Sequence, residues 1–265
     1  MTDRYAVIGN PVAHSKSPWI HAEFARACGE DIEYRRIEAP LESFTAAVDL
    51  FRAAGGKGLN VTLPFKQQAF RYCATVSERA RSAQAANTLV LQKEPYGDNT
   101  DGVGLVRDLT ANLEIALENG SVLLMGAGGA AQGVVGALLG AGVARLVIAN
   151  RTLAKAQALA ARFPGASASG YDALAGEGFD LVINATSAGL SGYGPSLPSG
   201  ILRRRMLAYD LVYGHDTQFL AAARAAGARA CDGLGMLVEQ AAESFFVWRG
   251  VRPDARPVLA KLRAT

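Results

Sequence analysis

Lys66 is the residue whose position in this sequence most suggests chemistry. It falls in the first turn of a helix that follows Gly58-Leu59-Asn60-Val61-Thr62-Leu63-Pro64-Phe65. A cation there meets the unfavourable end of the helix dipole, a local cost that suits a proton donor or acceptor better than surface decoration. An exposed helical lysine is the plainer alternative. Asn60 and Thr62, two apart in an otherwise apolar strand, share one face. Earlier, Gly9-Asn10-Pro11-Val12-Ala13-His14-Ser15-Lys16-Ser17-Pro18 leads from a strand into a helix. In an extended segment the Ser15 and Ser17 hydroxyls point the same way, beside free helix N–H groups that suit a carboxylate, while His14 and Lys16 face outward. Capping would by itself explain Ser17, with Pro18 at the first helical position. Asn87-Thr88 and Gly97-Asp98-Asn99-Thr100-Asp101-Gly102 form a second polar cluster. Asp101 is there either a helix N-cap or the group that orients a substrate hydroxyl beside Lys66.

A different chemistry is suggested by Gly126-Ala127-Gly128-Gly129-Ala130-Ala131, which follows the apolar run Val122–Met125 and opens a helix. The pattern matches the G-x-G-x-x-G/A dinucleotide turn: the first glycine permits the tight turn, the second admits a pyrophosphate, and the helix N-terminus supplies N–H groups. A ligand-free Gly/Ala-rich βα turn is the alternative. The second strand of such a unit ends at Asn150 rather than at the Asp or Glu that binds the ribose of NAD. Arg151, Thr152 and Lys155 follow, a set that would hold a 2′-phosphate and so favours NADP. Thr152 alone is equally well explained as a helix N-cap.

The elements that must place these residues read as two α/β halves. The first alternates strands Arg4–Ile8, Ile32–Ile37, Gly58–Leu63 and Asn87–Gln92 with helices Ser17–Cys28, Leu41–Ala54, Pro64–Tyr72 and Ser77–Ala83, which implies parallel βαβ units. Pro95–Asn99 reads as a turn. A connector helix is expected from Asp101 to about Leu117, with Gly120 as its C-cap. The second half repeats strand and helix in a doubly wound pattern: strands Val122–Met125, Leu146–Ala149, Phe179–Asn184, Met206–Val212 and Ala228–Cys231, and a helix Leu153–Phe163. Helices Leu234–Arg249 and Asp254–Arg263 close the chain.

Composition sets the outer limits. In 265 residues, 50% hydrophobic and 19% charged, 27 Lys and Arg nearly balance 24 Asp and Glu, which excludes a disordered tail or a highly basic nucleic-acid binder. The small positive excess suits anionic small molecules. Cys28, Cys73 and Cys231 lie far apart with no CxxC, so neither a disulfide framework nor a metal site is expected, and a reducing cytoplasm fits best. The start of the chain carries no signal-peptide pattern. Val122–Ala144 has one polar side chain, Gln132, in 23 residues. Its seven glycines point to a strand, a turn and a small-residue helix rather than a membrane span.

The motifs GNPxxHSKSP, GxNVTxPFK, GDNTDG, GAGGA, NRT, NATSAG and DGLGML, in this order along the whole chain, resemble the shikimate dehydrogenase family. The resemblance implies an α/β protein of two domains: residues 1–101, with 236–265 packed back on them, binding substrate, and 102–235 forming a Rossmann-like NADP domain, the nicotinamide lying between them. It implies reversible reduction of 3-dehydroshikimate to shikimate with NADPH, without metal, nucleic acid or membrane, by a monomer or homodimer. Lys66 and Asp101 match the family's catalytic pair. Ser15, Ser17, Asn60, Thr62, Asn87, Tyr213 and Gln240 match substrate-binding positions. Gly126, Ala127, Gly128, Gly129, Ala130, Asn150, Arg151, Thr152, Lys155, Thr186, Ser187, Leu211 and Gly233 match cofactor-binding positions. Two departures stand out: Lys155 where a second arginine is frequent, and Leu211 where a methionine is frequent. The alternatives are a quinate/shikimate dehydrogenase using NAD or NADP, and a non-catalytic shikimate-binding paralogue.

Overall fold

The structure, a computed structural model, describes residues 2–186 and 197–264. The chain divides into two compact units, Met1–Gly104 with Leu237–Thr265, and Leu105–Met236.

In the first unit the order is β1 (Asp3–Gly9), α1 (Ser17–Cys28), β2 (Ile32–Glu38), α2 (Phe44–Ala53), β3 (Gly56–Val61), α3 (Lys66–Tyr72), β4 (Thr75–Val76), α4 (Glu78–Ala83), β5 (Thr88–Val90), β6 (Tyr96–Asp98) and the start of α5 (Asp101–Arg107). The strands form one sheet in the order β2-β1-β3-β5-β6-β4. β1 is apolar on both faces because it lies between β2 and β3 under helices, and Ala6, Ile8, Leu59 and Val61 pack there with Phe44 and Phe65. Each such large apolar side chain contributes about 1.5–3 kcal/mol when buried.

The second unit contains β7 (Ser121–Met125), α6 (Gly129–Gly140), β8 (Arg145–Ala149), α7 (Leu153–Ala160), β9 (Ala166–Ser169), β10 (Leu181–Asn184), β11 (Leu207–Asp210), α8 (Gln218–Ala225) and β12 (Arg229–Asp232). Its sheet is entirely parallel, in the order β12-β11-β10-β7-β8-β9. The order reverses between β7 and β10, which opens a crevice at their carboxyl ends. The chain then runs through α9 (Leu234–Arg249) and α10 (Arg256–Arg263), most of which belongs to the first unit. No helix among the described residues is long and apolar enough to cross a membrane.

Several sequence expectations are corrected. The first sheet is mixed rather than parallel throughout: β5 runs antiparallel to both β3 and β6. Pro95–Asn99 is not simply a turn, because Tyr96–Asp98 pairs with β5 and β4, a long-range choice that local turn residues conceal. The connector does not stay helical to Leu117. It changes to a π turn at Asp108–Asn112 and leaves the helix at Leu113, so Gly120 caps nothing and simply precedes β7. Asp108 is fixed at that break, accepting from the Tyr209 hydroxyl at 2.6 Å and from Asn112 at 2.9 Å. β9 and α8 have no counterpart in the sequence reading. Helix α8 is nonetheless signalled by Thr217, whose hydroxyl accepts from the Leu220 N–H.

Candidate active site

Two helix starts create the centre of the site. Lys66 opens α3 and Asp101 opens α5, and Lys66 Nζ lies 2.6 Å from Asp101 Oδ2 with the side chains only 16% and 6% exposed. The cation at the unfavourable helix end is thus compensated by a carboxylate rather than by water. Asp101 has a partner on its other oxygen too: Asn87 Nδ2 donates to Oδ1 at 2.8 Å. Asn87 Oδ1 in turn accepts from the Thr100 N–H at 2.8 Å and the Thr88 hydroxyl at 3.0 Å. Gln240, on α9, accepts from Asn87 Nδ2 at 3.2 Å and from the Thr100 hydroxyl at 3.3 Å. It reaches them because α5 carries Gly104, where an added Cβ would lie 2.7 Å from the Gln240 backbone nitrogen.

The serine pair stands at the carboxyl end of β1, next to the loop that carries Lys66. The two loops are tied where Asn10 N–H donates to Leu63 O at 3.0 Å and Thr62 N–H donates to Ile8 O at 2.9 Å. Ser15 and Ser17 are buried and share a bond of 3.2 Å from the Ser15 hydroxyl to that of Ser17. Ser17 does not act as a side-chain cap. It is already helical, the cap position falls to Lys16, and no side chain caps α1. His14 is exposed. Thr62 is half-buried just beyond β3.

Asn60 is the residue between these two centres. Its Oδ1 accepts from the Tyr34 hydroxyl at 2.8 Å and faces His21 Nε2 at 3.1 Å. Its Nδ2 donates to Ser244 at 2.9 Å and to Thr88 at 3.3 Å. Ser244 and Thr88 are 2.7 Å apart. Burial raises the pKa of the Tyr34 phenol well above 10, so it remains a donor. A continuous hydrogen-bonded path therefore runs Tyr34, Asn60, Thr88, Asn87, Asp101, Lys66. Burial drives the His21 imidazole down to about 3, its Nδ1 has no partner among the described residues, and its ring stacks on Tyr34 at 4.3 Å. A neutral imidazole here is a wall and a single hydrogen-bond donor, not a base.

In the second unit, Gly126 takes φ 104°, a conformation open to glycine, directly against Ala185 and Thr186. Gly128 caps α6 without a side chain, and a Cβ at Gly128 or Gly129 would meet nothing within 4 Å among the described residues. The helix N-terminus is thereby left open to an anion. Beside it, β8 ends next to β7, with Gly126 N–H donating to Ala149 O at 2.7 Å. Asn150 follows, donating to Thr152 O at 2.9 Å. Arg151, Thr152 and Lys155 are exposed, and neither cation forms an ion pair among the described residues. Thr152 occupies the cap position of α7 but its side chain makes no cap bond, so capping does not use up its hydroxyl. These residues fit a dinucleotide carrying a 2′-phosphate.

The far side of this crevice is braced from beneath. The Thr186 N–H and hydroxyl both donate to Asn184 Oδ1, at 3.1 and 2.7 Å, and Asn184 Nδ2 donates to Asp210. Asp210 also accepts from Thr217 at 2.6 Å and from the Val212 N–H, and burial raises its pKa. Leu211 is half-buried against the core of the unit, and Gly233 lies tight under its carbonyl. Ala127 and Ala130 pack against the same core. Tyr213 belongs to this unit, unlike the other candidate substrate residues. Ser187 lies outside the described residues.

The structure thus brings Ser15, Ser17, Asn60, Lys66, Asn87, Asp101 and Gln240 into one unit, the last five of them in one polar network, and adds residues that sequence reasoning did not assign to the site: His21, Tyr34, Thr88, Thr100 and Ser244. Spacing held a signal for two of them. His21 is four residues after Ser17 on α1, and Ser244 four after Gln240 on α9, so each shares a helix face with a candidate residue.

The chain is similar to known proteins along its whole length. Residues 7–89 match the shikimate dehydrogenase substrate binding domain, 109–192 the shikimate / quinate 5-dehydrogenase family, and 233–263 the shikimate 5'-dehydrogenase C-terminal domain. The chain is 55% identical to the shikimate dehydrogenase (NADP(+)) of Chromobacterium violaceum, across 99% of this chain and 98% of that one. The Ael1 enzyme from Pseudomonas putida has a similar structure, with TM-score 0.93 and 50% identity over 98% of each chain. Shikimate 5-dehydrogenase from Thermus thermophilus, solved in complex with NADP(H) and shikimate, aligns with TM-score 0.90 and 37% identity over 99% of each chain.

Proposed function

The chain belongs to the shikimate dehydrogenase family, and on that premise we propose that it catalyses the reversible NADP-dependent reduction of 3-dehydroshikimate to shikimate. The observation that carries this reading is the nearly buried Lys66–Asp101 pair at one end of a row of polar residues in one unit, with the buried Ser15 and Ser17 hydroxyls at the other. One end handles a proton and the other fits a carboxylate, as a hydroxy acid with a ring ketone requires.

The Gly126–Gly129 turn would hold NADPH, with Asn150, Arg151, Thr152 and Lys155 at its 2′-phosphate, and the bound cofactor would supply a hydride. Thr186, Ser187, Leu211 and Gly233 complete that binding set. Lys66 Nζ gives its proton to the C3 oxygen as negative charge develops there, and takes it back in the oxidation direction. Asp101 keeps Lys66 in position and accepts a hydrogen bond from the neighbouring ring hydroxyl. Asn87 and Gln240 fix the face that the ring hydroxyls meet, Asn60 and Thr62 border it, and Tyr213 completes the substrate-binding set. The enzyme acts on a small cytoplasmic metabolite in the route to the aromatic amino acids.

Initial rates with shikimate and with quinate, each with NADP and with NAD, test the proposal. Turnover of shikimate with NADP at the highest kcat/KM supports it. Preference for quinate with NAD, or tight shikimate binding without any change in cofactor absorbance, would overturn it.

A further inference from the structure

The serine pair has a charged residue behind it that no part of the proposed mechanism uses. Arg36 lies on β2, on the same strand face as Tyr34, and its guanidinium grips the Ser15 carbonyl with two donors, Nε at 3.1 Å and Nη2 at 2.5 Å. Among the described residues Arg36 forms no ion pair. Glu38, two residues on along the same face, is exposed and unpaired with it. Lys16, between the two serines, is the other cation of this segment, but unlike Arg36 its side chain makes no bond to Ser15. Ser15 and Ser17 are neutral, the Tyr34 phenol is kept protonated by burial, and the Lys66 charge is matched by Asp101.

We propose that Arg36 is the charged member of the carboxylate clasp, holding the Ser15 segment in place and supplying the positive potential that the two serine hydroxyls lack. This rests on the proposed function in one respect only, that a carboxylate binds at Ser15 and Ser17. A hydroxyl pair alone favours an acid over its neutral ester only through stronger hydrogen bonds to the charged oxygens. A guanidinium anchored one peptide group away favours the anion, and its planar grip on Ser15 keeps that charge in place. Arg36 is a positioning and specificity residue in this account. It acts through charge and through Ser15, not by contact with the reacting atoms.

The test compares shikimate with its methyl ester in Arg36→Gln, Arg36→Lys and Lys16→Gln variants of the full chain, by calorimetric binding and by KM and kcat with NADP. Arg36→Gln should weaken acid binding about fivefold, in the range of a screened charge pair, and leave the ester within twofold. Its kcat should stay close to wild type, and raising the salt should weaken acid binding in the wild type more than in the variant. Arg36→Lys should restore most of the preference for the acid. Lys16→Gln, a charge of the same sign on the same segment but without the bond to Ser15, should keep it. An equal loss for acid and ester in Arg36→Gln, or an equal loss of preference in Lys16→Gln, would overturn the assignment. A wild-type protein that binds the acid but turns nothing over would overturn the proposed function and leave the clasp standing.

Discussion

Asn87 Nδ2 donates at 2.8 Å to Asp101 Oδ1, the carboxylate oxygen that Lys66 does not use. The single amide also receives the Thr100 N–H and the Thr88 hydroxyl, so it fixes the rotamer of Asp101 and the backbone that enters α5 together. Asn87→Ala would leave a buried carboxylate oxygen and a buried N–H without partners, each costing about 1–3 kcal/mol. The expected outcome is a lower urea midpoint and a fall in kcat. An unchanged midpoint would show that water replaces the amide without cost.

Gly104 makes a comparable contribution from the neighbouring helix. An alanine there would press its methyl group into the Gln240 backbone, and overpacking of this kind costs about 1–3 kcal/mol. Because Gln240 then withdraws from Asn87 and Thr100, KM for shikimate should rise several-fold with a smaller change in kcat. Steady-state kinetics and thermal melting of Gly104→Ala check this.

Arg151 and Lys155 should separate in their effect on cofactor choice. Arg151 can grip a phosphate with two donors, and Lys155 only as a point charge. Arg151→Gln should reduce the preference for NADPH over NADH by about tenfold to a hundredfold, the loss of one or two charge-assisted contacts, and Lys155→Gln by less. Comparing kcat/KM for the two cofactors measures both. Equal preference in wild type and Arg151→Gln would remove Arg151 from the site.

His21 gives the fold a pH dependence with a definite sign. Burial lowers its pKa to about 3, from 6.5 in water. The folded protein therefore keeps a neutral ring that the unfolded chain protonates. The stability this represents is fully present above about 6.5 and is lost as pH falls towards 3, at up to about 1.4 kcal/mol per pH unit. Between pH 7 and pH 5 the urea midpoint of the wild type should fall more than that of His21→Phe. Parallel falls would contradict the buried neutral assignment.

How much of this was legible in the sequence depends on range. The turn at Gly126, the serines, and the position of Lys66 at a helix start are consequences of neighbours within a few residues, and the sequence patterns show them. The antiparallel β5, the β6 strand hidden in Pro95–Asn99 and the π turn at Asp108 arise from partners far along the chain, Asn60 opposite Thr88 and Asp108 against Tyr209. Local propensity carries no record of such pairs. His21 and Ser244 fall between these cases. Each sits on an otherwise apolar helix face, where a core role is the ordinary reading, and only the convergence of α1, β3 and α9 on Asn60 shows otherwise.

The central claim is that Lys66 moves the proton, and Lys66→Ala measures it most directly. Turnover of shikimate with NADP should fall by about 10²- to 10⁴-fold, the usual contribution of a general acid–base group. Shikimate binding, measured by calorimetry on the same variant, should weaken far less. Near-normal kcat in Lys66→Ala would contradict the account.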